Sequence, residues 1–252
     1  MGDVIGIANQ KGGVGKTTLT IHLAVGLARR GKKVIVVDAD PQGNLTSWLL
    51  DGQTSDGTFR LLIAAESPVR TVQFLRKWDL GLLPGNYRTG EAMTMLAAVG
   101  RLAEIPSRIR PLAGVADYAL MDMPPSRSPG FTELLSACDW IVVPTQLERL
   151  SLEGVGLMAQ AAMELRKAGQ GPRLLGIVPN MTRARTNEHK AQMEELVNVF
   201  GPVVWPPLPL TIKVTEAASY GSTLYDRAPG ENVTRQMELL VQRTLEATNG
   251  HR

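Results

Sequence analysis

Gln10-Lys11-Gly12-Gly13-Val14-Gly15-Lys16-Thr17-Thr18 follows the apolar run Val4-Ile5-Gly6-Ile7-Ala8 and opens a helical stretch from about Lys16 to Arg30. Its glycines let backbone N–H groups turn toward an anion without Cβ clashes, and the helix N-terminus adds the positive end of its dipole. In such a loop Lys16 reaches the β- and γ-phosphates of a nucleotide, and the Thr17 hydroxyl ligates Mg2+. The common phosphate-loop pattern has a glycine where this chain has Gln10. This chain adds a lysine, Lys11, ahead of Lys16. A glycine-rich turn with incidental lysines is the bland alternative, and the strand before and the helix after argue against it.

Outward from the loop, Leu19, Leu23 and Leu27 recur every four positions, which gives one buried helical face. Gly31 stops that helix, and Val34-Ile35-Val36-Val37 reads as a strand buried on both faces. Strand, glycine turn, helix and strand form a βαβ unit with parallel pairing. Further strands are expected at Leu80 to Leu83, Tyr118 to Met123, Trp140 to Val143 and Leu174 to Val178, with a last short one at Val203-Val204-Trp205. Helices are expected at Thr89 to Ala103, Leu152 to Lys167, Glu188 to Phe200 and Glu231 to Ala247. The stretch Asp51 to Asp79 reads as a loop-rich insertion with mixed helix. No internal repeat or linker interrupts the chain, so residues 1–252 are expected to form a single doubly wound α/β domain. Its mostly parallel sheet is flanked by helices, and its sites lie at the carboxyl ends of the strands.

Composition bounds the rest. Of 252 residues, 44% are hydrophobic and 20% charged, a globular balance that excludes a disordered chain. A single cysteine, Cys138, excludes an intramolecular disulfide and any zinc or iron–sulfur site that needs several thiolates from one chain. It points to a reducing, cytoplasmic setting, with Cys138 a small buried residue. No apolar run approaches the ~20 residues of a membrane span, and the N-terminus lacks a signal peptide's order. Met1-Gly2 is not followed by a Ser or Thr at position 6, so the myristoylation pattern is not met. The net charge of +3 is too small to argue for nucleic acid by itself.

Two carboxylate segments sit where a nucleotide site needs them. Asp38-Ala39-Asp40-Pro41-Gln42-Gly43-Asn44 follows the second strand, so Asp38 and Asp40 can both face the strand-end crevice. Alone, Asp-Pro and Gly-Asn would be ordinary turn chemistry. Leu120-Met121-Asp122-Met123-Pro124-Pro125-Ser126 ends another strand in an aspartate placed to hold Mg2+ through water. An isolated strand-end aspartate is more often a turn or cap, and the phosphate loop is what raises the functional reading here.

Lys11-Gly12-Gly13-Val14-Gly15-Lys16-Thr17-Thr18 resembles the deviant Walker A motif of the ParA/MinD family of P-loop ATPases, and more closely the ParA/Soj-type partition ATPases within it. Asp38 to Asn44 resembles that family's switch I, and Asp122-Met123-Pro124-Pro125 its switch II. The resemblance spans residues 4 to about 245 and is weak between about 51 and 115. It implies ATP and Mg2+ as cofactors, with residues 11–18 (Lys11, Gly12, Gly13, Val14, Gly15, Lys16, Thr17, Thr18) around the phosphates. It further implies that Thr17, Asp38 and Asp122 serve the metal, that Asp40 positions the attacking water, and that Lys11 crosses to a partner's nucleotide in an ATP-dependent dimer. Ser126 and Arg127 would extend toward the dimer face. Asn180 falls where family members read adenine. Leu208-Pro209, opening the segment that ends in Glu216-Ala217, resembles the lining of the base pocket.

The family divides by partner. ParA-type members bind DNA non-specifically, are nucleoid-associated, answer to a ParB-like adaptor and position plasmids, chromosomes or other cargo. MinD-type members bind membrane through a C-terminal amphipathic helix. Here Val233, Met237, Leu240, Val241 and Leu245 make an apolar face. The tail after it has neither a lysine cluster nor a bulky apolar residue, so a helix packed on the sheet is expected and no membrane partner. Arg183, Arg185, Lys190 and Lys213 are the candidate DNA contacts, acting on phosphates. A solvated basic face is the alternative for each. No helix-turn-helix precedes the loop, so operator binding is not expected. A further alternative is a small-molecule ATP-dependent synthetase of the same fold, against which the Asp-Pro-Gln-Gly-Asn run argues.

Overall fold

The computed structural model describes residues 1–125, 128–148, 151–183 and 186–249. Its strands are β1 (Asp3–Ile7), β2 (Val34–Asp38), β3 (Gln73–Leu75), β4 (Leu80–Leu83), β5 (Tyr118–Asp122), β6 (Trp140–Gln146) and β7 (Arg173–Asn180). They form one sheet in the order β3-β4-β2-β5-β1-β6-β7, parallel throughout except for β3, which runs antiparallel to β4 at the edge. β1, followed directly by the glycine loop, lies between β5 and β6.

Helices connect the strands. In chain order they are α1 (Lys16–Ala28), α2 (Asn44–Leu49), α3 (Gly57–Ile63), α4 (Pro68–Thr71), α5 (Tyr87–Ala98) and α6 (Ile105–Ile109). There follow α7 (Phe131–Ser136), α8 (Ser151–Lys167), α9 (Asn187–Phe200), α10 (Ile212–Ser219), α11 (Leu224–Arg227) and α12 (Asn232–Asn249).

Strand side chains alternate between two cores. On β5, Tyr118 and Leu120 face α1 and α12, where Leu19, Leu23, Leu27, Met237, Leu240 and Val241 are buried. Ala119 and Met121 face the opposite layer, with Met93 and Leu96 of α5, Ile105 of α6, Leu134 of α7 and Met158 of α8. Both faces of a parallel sheet are thus covered, as its continuous apolar strands require. α12 spends its apolar face on α1 and the sheet. Among the described residues no helix is long and apolar enough to cross a membrane.

Three elements differ from the sequence reading. Val203-Val204-Trp205 is not a strand: Gly201–Val203 is a 3-10 turn, and a single bridge pairs Val204 with Ile177. Pro202, Pro206 and Pro207 supply no N–H to a ladder, and Trp205 instead packs on Gly176, where a Cβ would lie 2.3 Å from its ring. The insertion at 51–79 holds, besides α3 and α4, the short edge strand β3. The helix expected from Thr89 to Ala103 begins earlier, at Tyr87, because the Asn86 side chain caps it, and ends at Ala98 before Gly100 takes a left-handed φ of 69°. Cys138 is fully buried, and its Sγ donates to the Leu134 carbonyl.

Candidate nucleotide site

Parallel register brings the two carboxylate segments to one place. Asp38 is the Cα partner of Asp122, and Asp122 is also the partner of Ile7, the last residue of β1. The phosphate loop therefore rises directly beside two strand-end aspartates. Both are fully buried. Asp122 Oδ2 accepts from the Thr17 hydroxyl at 2.6 Å. Asp38 Oδ2 accepts from both the N–H and the hydroxyl of Thr46, at 2.8 and 2.7 Å. Asp38 Oδ1 and Asp122 Oδ1 are buried without a hydrogen-bond partner.

That arrangement concentrates negative charge away from water. Burial pushes the Asp38 carboxyl up to about 6, against the opposing bonds from Thr46 and with a smaller push from Asp40. Burial, then the Asp38 charge, raises Asp122 well above the carboxylate range, against the Thr17 bond and the Lys16 charge. Two carboxylates with unfilled oxygens beside a threonine hydroxyl are a hard-oxygen donor set suited to a divalent cation such as Mg2+. Among the described residues no three His, Cys, Asp or Glu form a metal group, so phosphate oxygens and water would complete such an ion's shell.

The loop itself is held for anion binding. Gly15 caps α1 at φ 94°, and no side chain caps the helix, so its first-turn N–H groups remain for a ligand. A Cβ at Gly15 would also lie 2.2 Å from Asn180 Nδ2, so glycine is required there twice over. Lys16 is buried, whereas Lys11, Gly12 and Gly13 are exposed. Lys11 points outward to Glu148, Nζ to Oε2 at 2.5 Å, with both side chains more than half exposed. Thr18 is half-buried, and its carbonyl meets His22. Asp40 lies at the crevice, its Oδ1 accepting from the Gln42 N–H at 3.0 Å.

Asn180, Leu208 and Pro209 lie on neighbouring segments. Leu208 N–H donates to the Pro179 carbonyl, and Pro209 bridges Thr182. Asn180 turns toward the loop, its Nδ2 donating to the Val14 carbonyl at 2.8 Å. Of the basic candidates, Arg183 and Lys190 are exposed, and the Arg183 N–H donates to His189 Nδ1. Lys213, in the first turn of α10, pairs with Glu216 at 3.0 Å. Arg185, Ser126 and Arg127 lie outside the described residues.

Several positioning residues carry no motif signal. Thr46 fixes Asp38 and also accepts from the Gly85 N–H. Asn9 ties the loop to β6 through the Pro144 carbonyl, and Gln146 reaches the Gly13 carbonyl. Glu148 holds Lys11. The bonds of Asn9, Gln146 and Glu148, and that of Thr46 to Gly85, each span more than thirty residues of chain, so none shows as a local pattern.

The chain's similarities agree with this geometry. A family model described as "AAA domain" matches residues 2–172. The chain is 40% identical over 233 residues to the chromosome-partitioning ATPase Soj of Thermus thermophilus, covering 89% of this chain and 88% of that one. It is 30% identical over 241 residues to the sporulation initiation inhibitor protein Soj of Bacillus subtilis, covering 92% and 95%. Among solved structures, apo McdA of Cyanothece superposes with a TM-score of 0.85 at 22% identity, covering 97% of this chain and all of that one. Cobyrinic acid a,c-diamide synthase of Mycobacterium smegmatis with bound ADP and magnesium superposes with a TM-score of 0.82 at 26% identity, covering 100% and 97%.

A charge-poor substitution at the strand ends tests the electrostatics without nucleotide. A raised carboxyl binds its proton more tightly folded than unfolded, so stability falls as pH rises from about 4 to about 6. Asp38→Asn is expected to flatten that fall and to raise stability at pH 7 by about 2–3 kcal/mol. Urea unfolding of both proteins between pH 4 and 7 checks it.

Proposed function

The chain belongs to the ParA/MinD family of ATPases, and we propose that it is a ParA-like positioning ATPase. It binds ATP with Mg2+ and forms an ATP-dependent sandwich homodimer. The dimer holds DNA non-specifically and hydrolyses ATP to partition or position a plasmid, a chromosome or another cargo. The observation that carries the reading is the division between the loop's two lysines: Lys16 is buried in the site, and Lys11 is presented outward on it.

The roles follow from chemistry. The Thr17 hydroxyl and, through water, Asp38 and Asp122 would hold Mg2+, which would supply positive charge against the phosphates. Lys16 and the loop N–H groups, from Gly12 and Gly13 through Val14 and Gly15 to Thr18, cradle the phosphates. Asp40 orients the attacking water. Lys11 supplies positive charge in trans to the partner's nucleotide, as an arginine finger does, so hydrolysis is slow in a lone protomer and depends on pairing. Its exposed bond to Glu148 is weak, so releasing Lys11 costs little. Asn180, Leu208 and Pro209 line the base side.

DNA contact is assigned to Arg183, Arg185, Lys190 and Lys213 through phosphates. Dimerisation duplicates that face. The relatives named for chromosome partitioning support this use. An adaptor of ParB-like type would stimulate turnover, and the protein would be cytoplasmic and nucleoid-associated. Residues 1–252 would act as one ATPase domain. The membrane-binding alternative is disfavoured because α12 has its apolar face occupied by α1 and the sheet. The small-molecule synthetase alternative keeps the fold, as the cobyrinic acid a,c-diamide synthase match illustrates, but gives Lys11 and the DNA face no use.

Two measurements test the reading. Lys11→Ala is expected to abolish ATP hydrolysis and weaken ATP-dependent dimerisation, and Asp40→Ala to retain ATP in a trapped dimer. Steady-state phosphate release with size-exclusion chromatography reads both, and normal turnover in either variant contradicts the assignment. DNA retardation should require ATP. In the double variant Arg183→Ala, Lys190→Ala it should weaken alike for unrelated sequences, with the slope of log affinity against log salt reduced by about 4, two contacts from each protomer of the dimer.

A further inference from the structure

A histidine joins the phosphate loop to the turn that enters α11. His22 stands on α1, fully buried. Its Nδ1 lies 2.7 Å from the Thr18 carbonyl, and its Nε2 lies 3.0 Å from the Leu224 N–H. A carbonyl only accepts and a backbone N–H only donates, so the ring is neutral with its proton on Nδ1. Burial agrees, holding the imidazole down to about 4. Tyr225 adds a bond from its hydroxyl to the His22 carbonyl at 2.9 Å.

Trp48 makes a second connection to the same turn. Its ring meets His22 edge-on at 6.0 Å, and its Nε1 donates to the Ser222 carbonyl at 2.9 Å. Trp48 belongs to α2, the helix whose Thr46 makes two bonds to Asp38. Residues 222–225 are therefore gripped from two directions. One grip runs from the phosphate loop through Thr18 and His22, the other from Asp38 through Thr46 and α2. Just ahead of this turn lies α10, which carries Lys213 and packs Val214 against the small cluster of Leu224, Ala228 and Val233. A cleft of about 440 Å³ separates α2 from the end of α10, with Thr17, Ser47, Trp48 and Ser219 on its walls. It gives α10 room to shift against α2 when the grips change.

We propose that His22, Trp48 and Tyr225 form a coupling element that transmits occupancy of the phosphate loop to the turn at residues 222–225 and to the end of α10 that precedes it. His22 is a positioning residue in it: it touches no reacting atom and acts through Thr18 and Leu224. The inference rests on the nucleotide reading given above.

Hydrogen–deuterium exchange of the full chain, with and without AMP-PNP and Mg2+ and without DNA, tests it. In the unsubstituted protein the nucleotide is expected to slow exchange in residues 11–18, and also in residues 219–227 by roughly fivefold or more, the low end of ordinary site-to-site coupling. His22→Phe keeps an aromatic ring and removes both bonds. It should keep the protection at 11–18 and lose that at 219–227. A merely structural role would speed exchange equally with and without nucleotide. If His22→Phe does not fold, Trp48→Phe, which removes only the donor to Ser222, makes the same test. Undiminished nucleotide-dependent protection at 219–227 in the folded variant overturns the proposal, as does protection at 11–18 in the unsubstituted protein with none at 219–227. Absence of protection at 11–18 would instead overturn the nucleotide reading itself, and with it this inference.

Discussion

Asp38 and Asp122 end neighbouring parallel strands in register, buried side by side, each with one oxygen unpartnered. Sheet register forces the pairing, since neither strand can slip by one residue without turning its apolar side chains to the wrong core. Two like charges held together out of water are costly, and that cost falls when a cation or a proton reaches them. Most of the site is arranged around this pair. Thr17 bonds to one carboxylate, Thr46 holds the other in place, and Lys16 lies close enough to offset part of the charge. The same excess charge that destabilises the empty site favours a ligand that brings a metal ion with its phosphates.

The phosphate loop is shaped by contacts from far along the chain. Asn9 fastens its start to β6, Gln146 takes the Gly13 carbonyl, and Asn180 takes that of Val14. These bonds turn carbonyls away from the loop's interior and leave N–H groups and the uncapped α1 terminus for an anion. Lys11 alone leaves this frame, reaching to an exposed partner. One loop thus carries one lysine buried at the site and one exposed lysine held only by a weak surface pair.

How much was legible in the sequence follows from where each signal is stored. Residues 10–18, 38–44 and 122–125 are continuous stretches whose spacing carries their chemistry, and the apolar strand runs flanking them set the α/β order. Thr46, Asn9, Gln146 and Glu148 escaped because their importance arises only when register brings together residues far apart in the chain. The edge strand Gln73–Leu75 is too short and too exposed to show an alternating pattern. Val203-Val204-Trp205 misled for the opposite reason: its β-propensity is strong, yet neighbouring prolines and the fit of Trp205 over Gly176 decide its shape. The buried His22 reads in sequence as one polar residue on an apolar helix, and only the fold supplies its two partners. Net charge said nothing of partners.

The strand-end pair and the loop are suited to bind a nucleotide as its metal complex. Isothermal titration of the protein with ATP, in Mg2+ and again in excess EDTA, tests it most directly. Saturable 1:1 binding is expected in Mg2+, weakening by at least tenfold, about 1.4 kcal/mol, when the metal is withheld. Equal affinity in both conditions, or no binding in Mg2+, would contradict it.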